Sequence, residues 1–223
     1  PFDYETETYT RSLWISEGIT SYYDDLLLAR AGLMNETEYL KKLSKQMMQF
    51  QTKPGRKTRS LEDVSMDAWI KHYRKDENSL NAAISYYSKG AVVGWLLDME
   101  IRRSTNGVSS LDDVMRRAAK DFSGPSGFTP LDFQHIAEEI AGRELNAFFE
   151  AYVRGTTELN YTPALQWLGL TLEVPADNDD VWLGLETSSG HGSARIDSIH
   201  KGSPAFTANL VSGDELLAVN GFR

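Results

Sequence analysis

The 223-residue chain has no cysteine, so disulfides and thiolate metal sites are excluded, while reducing and oxidising compartments both stay open. No apolar run approaches the roughly 18 residues of a membrane-spanning helix, so no membrane span is expected. The opening Pro1-Phe2-Asp3-Tyr4-Glu5 is not a signal peptide, and the compartment, cytoplasmic or periplasmic, is left open. Basic residues are few: 23 Lys and Arg stand against 32 Asp and Glu, a net charge of −9. That balance argues against nucleic acid, whose phosphates select a basic face, and suits a soluble protein. Histidine is scarce as well. His72, His135, His191 and His200 each stand alone, and His135-x-x-Glu138 reads as a surface pair. What remains, 41% hydrophobic and 11% aromatic residues, is enough for a proper core in one large domain or two small ones.

The stretch from Leu13 to Leu33 organises the rest. Ile15, Ile19, Tyr22, Leu26, Ala29 and Leu33 fall on one stripe at helical spacing, with Glu17, Thr20, Ser21 and Asp24 opposite. Leu13, Trp14, Leu27 and Leu28 flank that polar face, so the helix is apolar almost all round. A carboxylate on such a helix points into a cleft or a buried site, where a bare charge is costly. Glu17 therefore needs a partner: a metal, a hydrogen-bond network, or an arginine such as Arg11.

Further along, residues 1–12 read as an ordered loop, and Asn35-Glu36-Thr37-Glu38 is a capping box opening a helix through Phe50. Lys53-Pro54-Gly55-Arg56-Lys57 reads as a basic loop, solvated or facing a substrate carboxylate. Ser60 to Lys71 predicts one or two short helices anchored by Trp69. Ser85 to about Arg103 predicts a helix stopped at Asn106-Gly107. Tyr87, Ala91, Gly94 and Asp98 share one of its faces, where small residues let another backbone come close and leave the phenol at the rim, or simply packed beside a helix crossing. Three more helices are predicted: Ser110–Phe122, a Thr129-Pro130 start closing at Gly142, and Glu144–Val153 with Gly155 as its stop. From 164 the pattern alternates. Strands are expected over 168–174, 181–185, 194–199 and 210–221, with an acidic turn at 175–180 and a short helix after Ser203.

Three of these segments carry a resemblance. Trp14-x-x-Glu17-Gly18-x-Thr20-x-Tyr22-x-Asp24 resembles the glutamate helix of the thermolysin-like zinc peptidases called gluzincins, and LWISEGITSYYDDLLLARAGL is similar to the glycyl aminopeptidase branch, which ends in a PDZ domain. Tyr87-x-Lys89-Gly90-Ala91 lies downstream and resembles the gluzincin segment whose Tyr hydroxyl donates to the developing oxyanion, with Tyr86 one residue out of register. Gly202-Ser203-Pro204-Ala205 followed by Gly213-Asp214-Glu215-Leu216-Leu217-Ala218-Val219-Asn220-Gly221 is similar to the PDZ core of bacterial proteases.

The resemblance implies a mainly α fold: the helical second half of a thermolysin-like peptidase domain over 1–163, then the N-terminal part of a PDZ-like β domain over 164–223. It implies a zinc aminopeptidase that removes small, Gly- or Ala-like residues from peptides with a free N-terminus. In that reading Glu17 is the third zinc ligand, Tyr87 the oxyanion stabiliser, and Ser21 and Asp24 orient the ligands. Leu183-Gly184-Leu185 matches the PDZ loop whose N–H groups face a peptide C-terminal carboxylate. The family's HExxH motif is missing, and the 16 residues before Glu17 leave no room for it. The PDZ match stops before its second helix. The chain is thus expected to be an internal piece, inactive and holding no zinc alone, while the longer protein binds Zn2+. The other reading is a non-catalytic helical scaffold with a peptide-binding PDZ module, descended from a peptidase.

Overall fold

The computed structural model describes residues 5–124, 127–173, 181–190 and 193–222. Helix α6, Tyr86–Ser104, is the axis of the helical body and is buried along nearly its whole length. Its sequence explains this: Ala91-Val92-Val93-Gly94-Trp95-Leu96-Leu97 is apolar on every face, so it needs neighbours all round. A π-helical turn, Trp14–Ile19, runs straight into α1, Thr20–Arg30, and both pack on α6. Around them stand α2 (Glu36–Gln51), α3 (Leu61–Met66), α8 (Pro130–Ala141) and α10 (Thr162–Trp167). The short α4 (Ala68–Lys71) and α5 (Ser79–Ala82) precede α6, while α7 (Leu111–Phe122) packs on α8. The last long segment is α9, Asn146–Phe149, continuing as a π-helical stretch Glu150–Arg154. Trp14 sits at the heart of the core with its ring edge-on to Phe133, centroids 5.9 Å apart.

The cap signals fold as read. Asn35 and Glu38, Ser110 and Asp113, and Thr129 and Asp132 each form reciprocal capping boxes. Gly142 takes the left-handed conformation (φ 64°) that ends α8. One buried carboxylate ties three elements together. Asp98 is 1% exposed and accepts from Tyr22 Oη at 2.7 Å, Arg102 Nε at 3.0 Å and the Leu111 N–H at 2.8 Å. Three donors, one of them cationic, replace the water it loses. The burial and the Asp98 charge hold the Tyr22 hydroxyl well above its ordinary pKa.

Several expectations are corrected. Arg11 does not meet Glu17: its guanidinium lies nearest Glu62 and Asp63. Lys53–Lys57 is not an open loop but carries a 3-10 turn, Pro54–Lys57. Trp69 is 59% exposed and anchors no core. Leu33 is 77% exposed, because α1 ends at Arg30 before the apolar stripe reaches it. Glu138 accepts from Gln134 and from the Leu145 N–H, not from His135. The strand expected over 168–174 is absent over its described residues, which form an irregular tail after helix α10 (Thr162–Trp167). Pro163 fits the first turn of that helix, where its missing N–H costs nothing, and Ala164 and Leu165 are buried in the helical core. Helix α10 therefore spans the boundary expected at 163/164.

The C-terminal segment is a three-stranded antiparallel sheet in the order β1-β2-β3: β1 Leu185–Gly190, β2 Ser193–Ile199 and β3 Glu215–Leu216. The strand expected at 181–185 begins only at Leu185, and the one expected at 210–221 keeps two residues plus a Val219–Phe222 bridge. The acidic turn at 175–180 lies outside the described residues. The short helix after Ser203 is α11, Pro204–Thr207, capped by the Ser203 hydroxyl. This segment has a small core of its own, Ile196, Ile199 and Ala205 with Leu185, Leu210 and Leu216 around it. It meets the helical body through Asn81, whose side-chain amide donates to the Ile199 carbonyl and accepts from the Lys201 N–H, both at 2.8 Å.

Candidate active site

Two glycines decide where Glu17 and Tyr87 lie. A Cβ added at Gly18 would come within 2.6 Å of Gly90 Cα, and one added at Gly90 within 2.8 Å of Gly18 Cα. The two backbones touch there, so the π-helical turn and the first turn of α6 cross with nothing between them. Glu17 adjoins one side of the contact, and Tyr87 is three residues before the other. The close approach expected on α6 is thus real, and Gly90 makes it. At Gly94 an added Cβ would find only ordinary contacts, the nearest at 3.5 Å.

Glu17 is half-buried, and its carboxylate has no hydrogen bond or ion pair among the described residues. Its charge is felt by Tyr87, whose hydroxyl is raised above its ordinary pKa. Burial is the largest cause, the hydrogen bond with Tyr86 acts the other way, and Tyr73 and the Glu17 charge add to the rise. A phenol held in this way keeps its proton at neutral pH and acts as a donor, not as a base or nucleophile. Ser21 is one turn on, but its hydroxyl donates to the Glu17 carbonyl at 2.8 Å, within the helix. Asp24 is exposed.

Behind Tyr87 is an aromatic group that the sequence reading missed. Tyr86 is 1% exposed, stacks on Tyr87 with centroids 4.7 Å apart, and shares a hydrogen bond with Tyr73 at 3.1 Å between hydroxyl oxygens. His72 packs against both rings, at 4.9 Å from Tyr86 and 6.0 Å from Tyr87. Burial, then the Lys75 charge, lowers the pKa of its imidazole. Burial, then the hydrogen bonds to Tyr73 and Tyr87, pushes Tyr86 up strongly. Of the adjacent tyrosines, Tyr86 is thus locked inward and Tyr87 faces the open side. Helical phase carries that signal, since Tyr86, Val93 and Leu97 share the buried face. The same phase places Lys89 there, a residue with no assigned part above.

Leu183-Gly184-Leu185 lies in the other unit. The Leu183 carbonyl accepts from the Ala205 N–H at 3.0 Å and the Gly184 carbonyl from the His200 N–H at 2.8 Å. Gly184 has φ 71°, and a Cβ there would strike Ser203. The loop is therefore fixed against the start of α11 and leads into β1, an edge strand of the described sheet.

As for a metal, the described residues hold no group of three His, Cys, Asp or Glu able to bind one. Glu17 would supply one donor of the four that tetrahedral zinc takes. The described residues therefore do not make a complete zinc site. No helix among them is long and apolar enough to cross a membrane.

Residues 1–93, which include both Glu17 and Tyr87, match the M61 glycyl aminopeptidase family. No curated protein matches. Among solved structures, the crystal structure of an aminopeptidase N family protein from Idiomarina loihiensis is similar, at 26% identity with a TM-score of 0.84. The likeness covers 98% of this chain and 40% of that one, so the chain spans well under half the length of the protein it matches. The family match contains the Glu17–Tyr87 crossing, and the likeness to the aminopeptidase N family structure runs on through the helices beyond it.

Proposed function

We propose that this chain contributes one wall of a metalloaminopeptidase active site. In this reading Glu17 is one carboxylate ligand of a zinc ion and Tyr87 is the hydrogen-bond donor to the oxyanion. The carrying observation is the Gly18–Gly90 contact, which sets a carboxylate with no other partner beside a protonated, outward-facing phenol. Negative charge grows on the carbonyl oxygen as water adds to a peptide bond. A fixed O–H aimed at that position stabilises the transition state more than the substrate. Tyr86 and Tyr73 hold the phenol in place, so little ordering is left to the moment of reaction. Ser21 and Asp24 are placed in the reading as neighbours that orient Glu17, Ser21 through the helix backbone it bonds.

The substrates in this reading are peptides with a free N-terminus and a small, Gly- or Ala-like first residue. The C-terminal sheet is read as PDZ-like: its edge strand β1 would take a peptide as an added strand, with the carboxylate at Leu183-Gly184-Leu185. The zinc site needs further ligands from outside the described residues, and this chain by itself is proposed to be inactive.

The test uses the longer, active protein. Tyr87→Phe should leave metal content and KM near wild type and lower kcat roughly 10²–10³-fold, the scale of removing one oxyanion donor. Glu17→Ala should release the metal, as measured by elemental analysis after dialysis. Unchanged turnover in Tyr87→Phe would return Tyr87 to a packing role.

A further inference from the structure

The sequence holds two Asn-Gly steps, Asn106-Gly107 and Asn220-Gly221, and the fold treats them differently. Asparagine before glycine is the step most prone to lose its side-chain amide. The main-chain nitrogen of the glycine attacks the asparagine Cγ, and the glycine has no Cβ to hinder the approach. That nitrogen must be free of any hydrogen bond, and the asparagine backbone must rotate to bring it within reach.

Both asparagines are exposed, and each has a φ of 52°, with the glycines that follow at 81° and 83°. Exposure and local conformation therefore do not separate the two sites. The glycine nitrogens do. Gly107 N–H donates to the Arg102 carbonyl at 2.7 Å, in the stop that closes α6. Beside it, Thr105 N–H donates to Ile101 and Val108 N–H to Thr105, both at 3.1 Å. Freeing the Gly107 nitrogen means unwinding a turn that holds Ile101, which is 0% exposed. Asn78 precedes a small residue too, and there the Ser79 N–H donates to the Asp76 carbonyl at 3.1 Å.

Gly221 N–H has no hydrogen-bond partner among the described residues. Asn220-Gly221 is the two-residue loop between Val219 and Phe222, whose N–H groups donate to each other's carbonyls at 2.8 and 3.0 Å. Positive φ at both central residues is what a type I′ turn takes, and Asn-Gly suits it. The two bonds flank the loop and leave its glycine nitrogen unpaired. Val219 is 66% exposed and Phe222 80%, so little packing resists the opening of this hairpin.

We propose that Asn220 is a covalent modification site, where the chain deamidates spontaneously, while the fold protects Asn106. The Gly221 nitrogen gives its proton to solvent and bonds to Asn220 Cγ. The Cγ–Nδ2 bond breaks, and ammonia leaves with a proton taken back from solvent. The product is a five-membered succinimide. Water then adds to either of its two carbonyls and breaks that carbonyl's bond to nitrogen, giving aspartate or isoaspartate with no change of oxidation state. Either product adds a negative charge. Isoaspartate also routes the main chain through Cβ and lengthens the loop by one atom, so Val219 and Phe222 no longer face each other.

Ageing the 223-residue chain at mildly alkaline pH tests this, read by mass spectrometry of the tryptic peptides 104–116 and 202–223 and by labelling with isoaspartyl methyltransferase. Conversion at Asn220 should outpace that at Asn106 by at least about tenfold, the ratio set by a difference of about 1.4 kcal/mol in local opening. In urea strong enough to unfold the chain, the two rates should converge. Asn220→Gln, whose longer side chain would have to close a larger ring, should remove most of the methyltransferase label from the aged native chain. Equal rates at the two sites in the native chain, a native ratio that persists in urea, or label that survives in Asn220→Gln would each overturn the proposal.

Discussion

The helical body and the C-terminal sheet are built on different scales. The first closes around α6 with a continuous apolar core that takes in Trp14, Trp95, Phe133 and Phe149. The second rests on Ile196, Ile199 and Ala205, with exposed Val181, Trp182, Leu183, Leu217 and Val219 around it. A small segment buries a small share of its surface, so its share of stability per residue is low. The difference teaches that opening need not be global. The sheet can come loose while the helices stay folded, because among the described residues the hydrogen bonds that join them run through Asn81 alone.

The largest expected effect tests whether the helical body is one cooperative unit. Gly18→Val forces a side chain into the Gly90 backbone, and neither helix can give way without leaving α6. A loss above about 4 kcal/mol is expected, the range of severe core disruption, with collapse of the near-UV circular dichroism of the buried tryptophans. Retained near-UV signal would show that the crossing can spread and that the body is looser than described.

Next comes the sheet. Ile196→Ala should cost about 2–4 kcal/mol locally. Limited proteolysis should then cut rapidly after about residue 180 and leave a resistant helical piece, where wild type is cut there more slowly. Equal resistance of the C-terminal segment and the helices in wild type would erase the contrast.

Lys89→Met is expected to act in the stabilising direction. Burial lowers the Lys89 pKa from 10.5 to about 8. Below about pH 8 both folded and unfolded chains carry the proton, and the folded one carries the full penalty. Between about 8 and 10.5 the unfolded chain holds more protons, so wild-type stability rises with pH. The gap of roughly 2.5 pH units corresponds to about 3 kcal/mol at most. Lys89→Met should therefore exceed wild type by up to that amount at pH 7, and the difference should close as pH approaches 10.5. Buried Tyr22, Tyr39 and Tyr161 have raised pKa values and lower stability above about pH 10, but equally in both proteins. A difference that does not change with pH in denaturant titrations would mean that folding does not shift the Lys89 pKa at all.

The smallest effect concerns the join. Asn81→Ala removes both bonds to the C-terminal segment and should cost about 1–2 kcal/mol of docking, with no change in helical melting. Faster hydrogen exchange at Lys201, but not in α6, would show it. Unchanged exchange would mean that other contacts hold the two units together.

What was legible in the sequence is what is local. The three capping boxes rest on residues three apart, and the length of α6 on an apolar run ended by Asn106-Gly107. The misreadings arise where local pattern and packing disagree. Pro163 looks like a break, yet it stands in the first turn of α10. Leu168-Gly169-Leu170 alternates like a strand but finds no partner strand, and Leu170 packs on the helical core instead. Glu17 and Tyr87 could be singled out from their neighbours in sequence, but the Gly18–Gly90 contact that brings them together joins residues 72 positions apart. Tyr73 and His72 belong to a different short helical region and carry no motif, so only the fold shows them behind Tyr87.

Asn81 reaches across to the Ile199 carbonyl and the Lys201 N–H, and both of these are main-chain atoms. The grip is therefore blind to which side chains stand at 199 to 201. Their identities can drift, or the whole terminal unit can be exchanged for another with the same turn, without altering the latch. Asn81 has no such freedom. Aspartate would keep the acceptor and lose the donor, and leucine would lose both. The unit that is weakly built is thus the one that can be rebuilt, so long as it offers the Asn81 amide a carbonyl and an N–H in the same places.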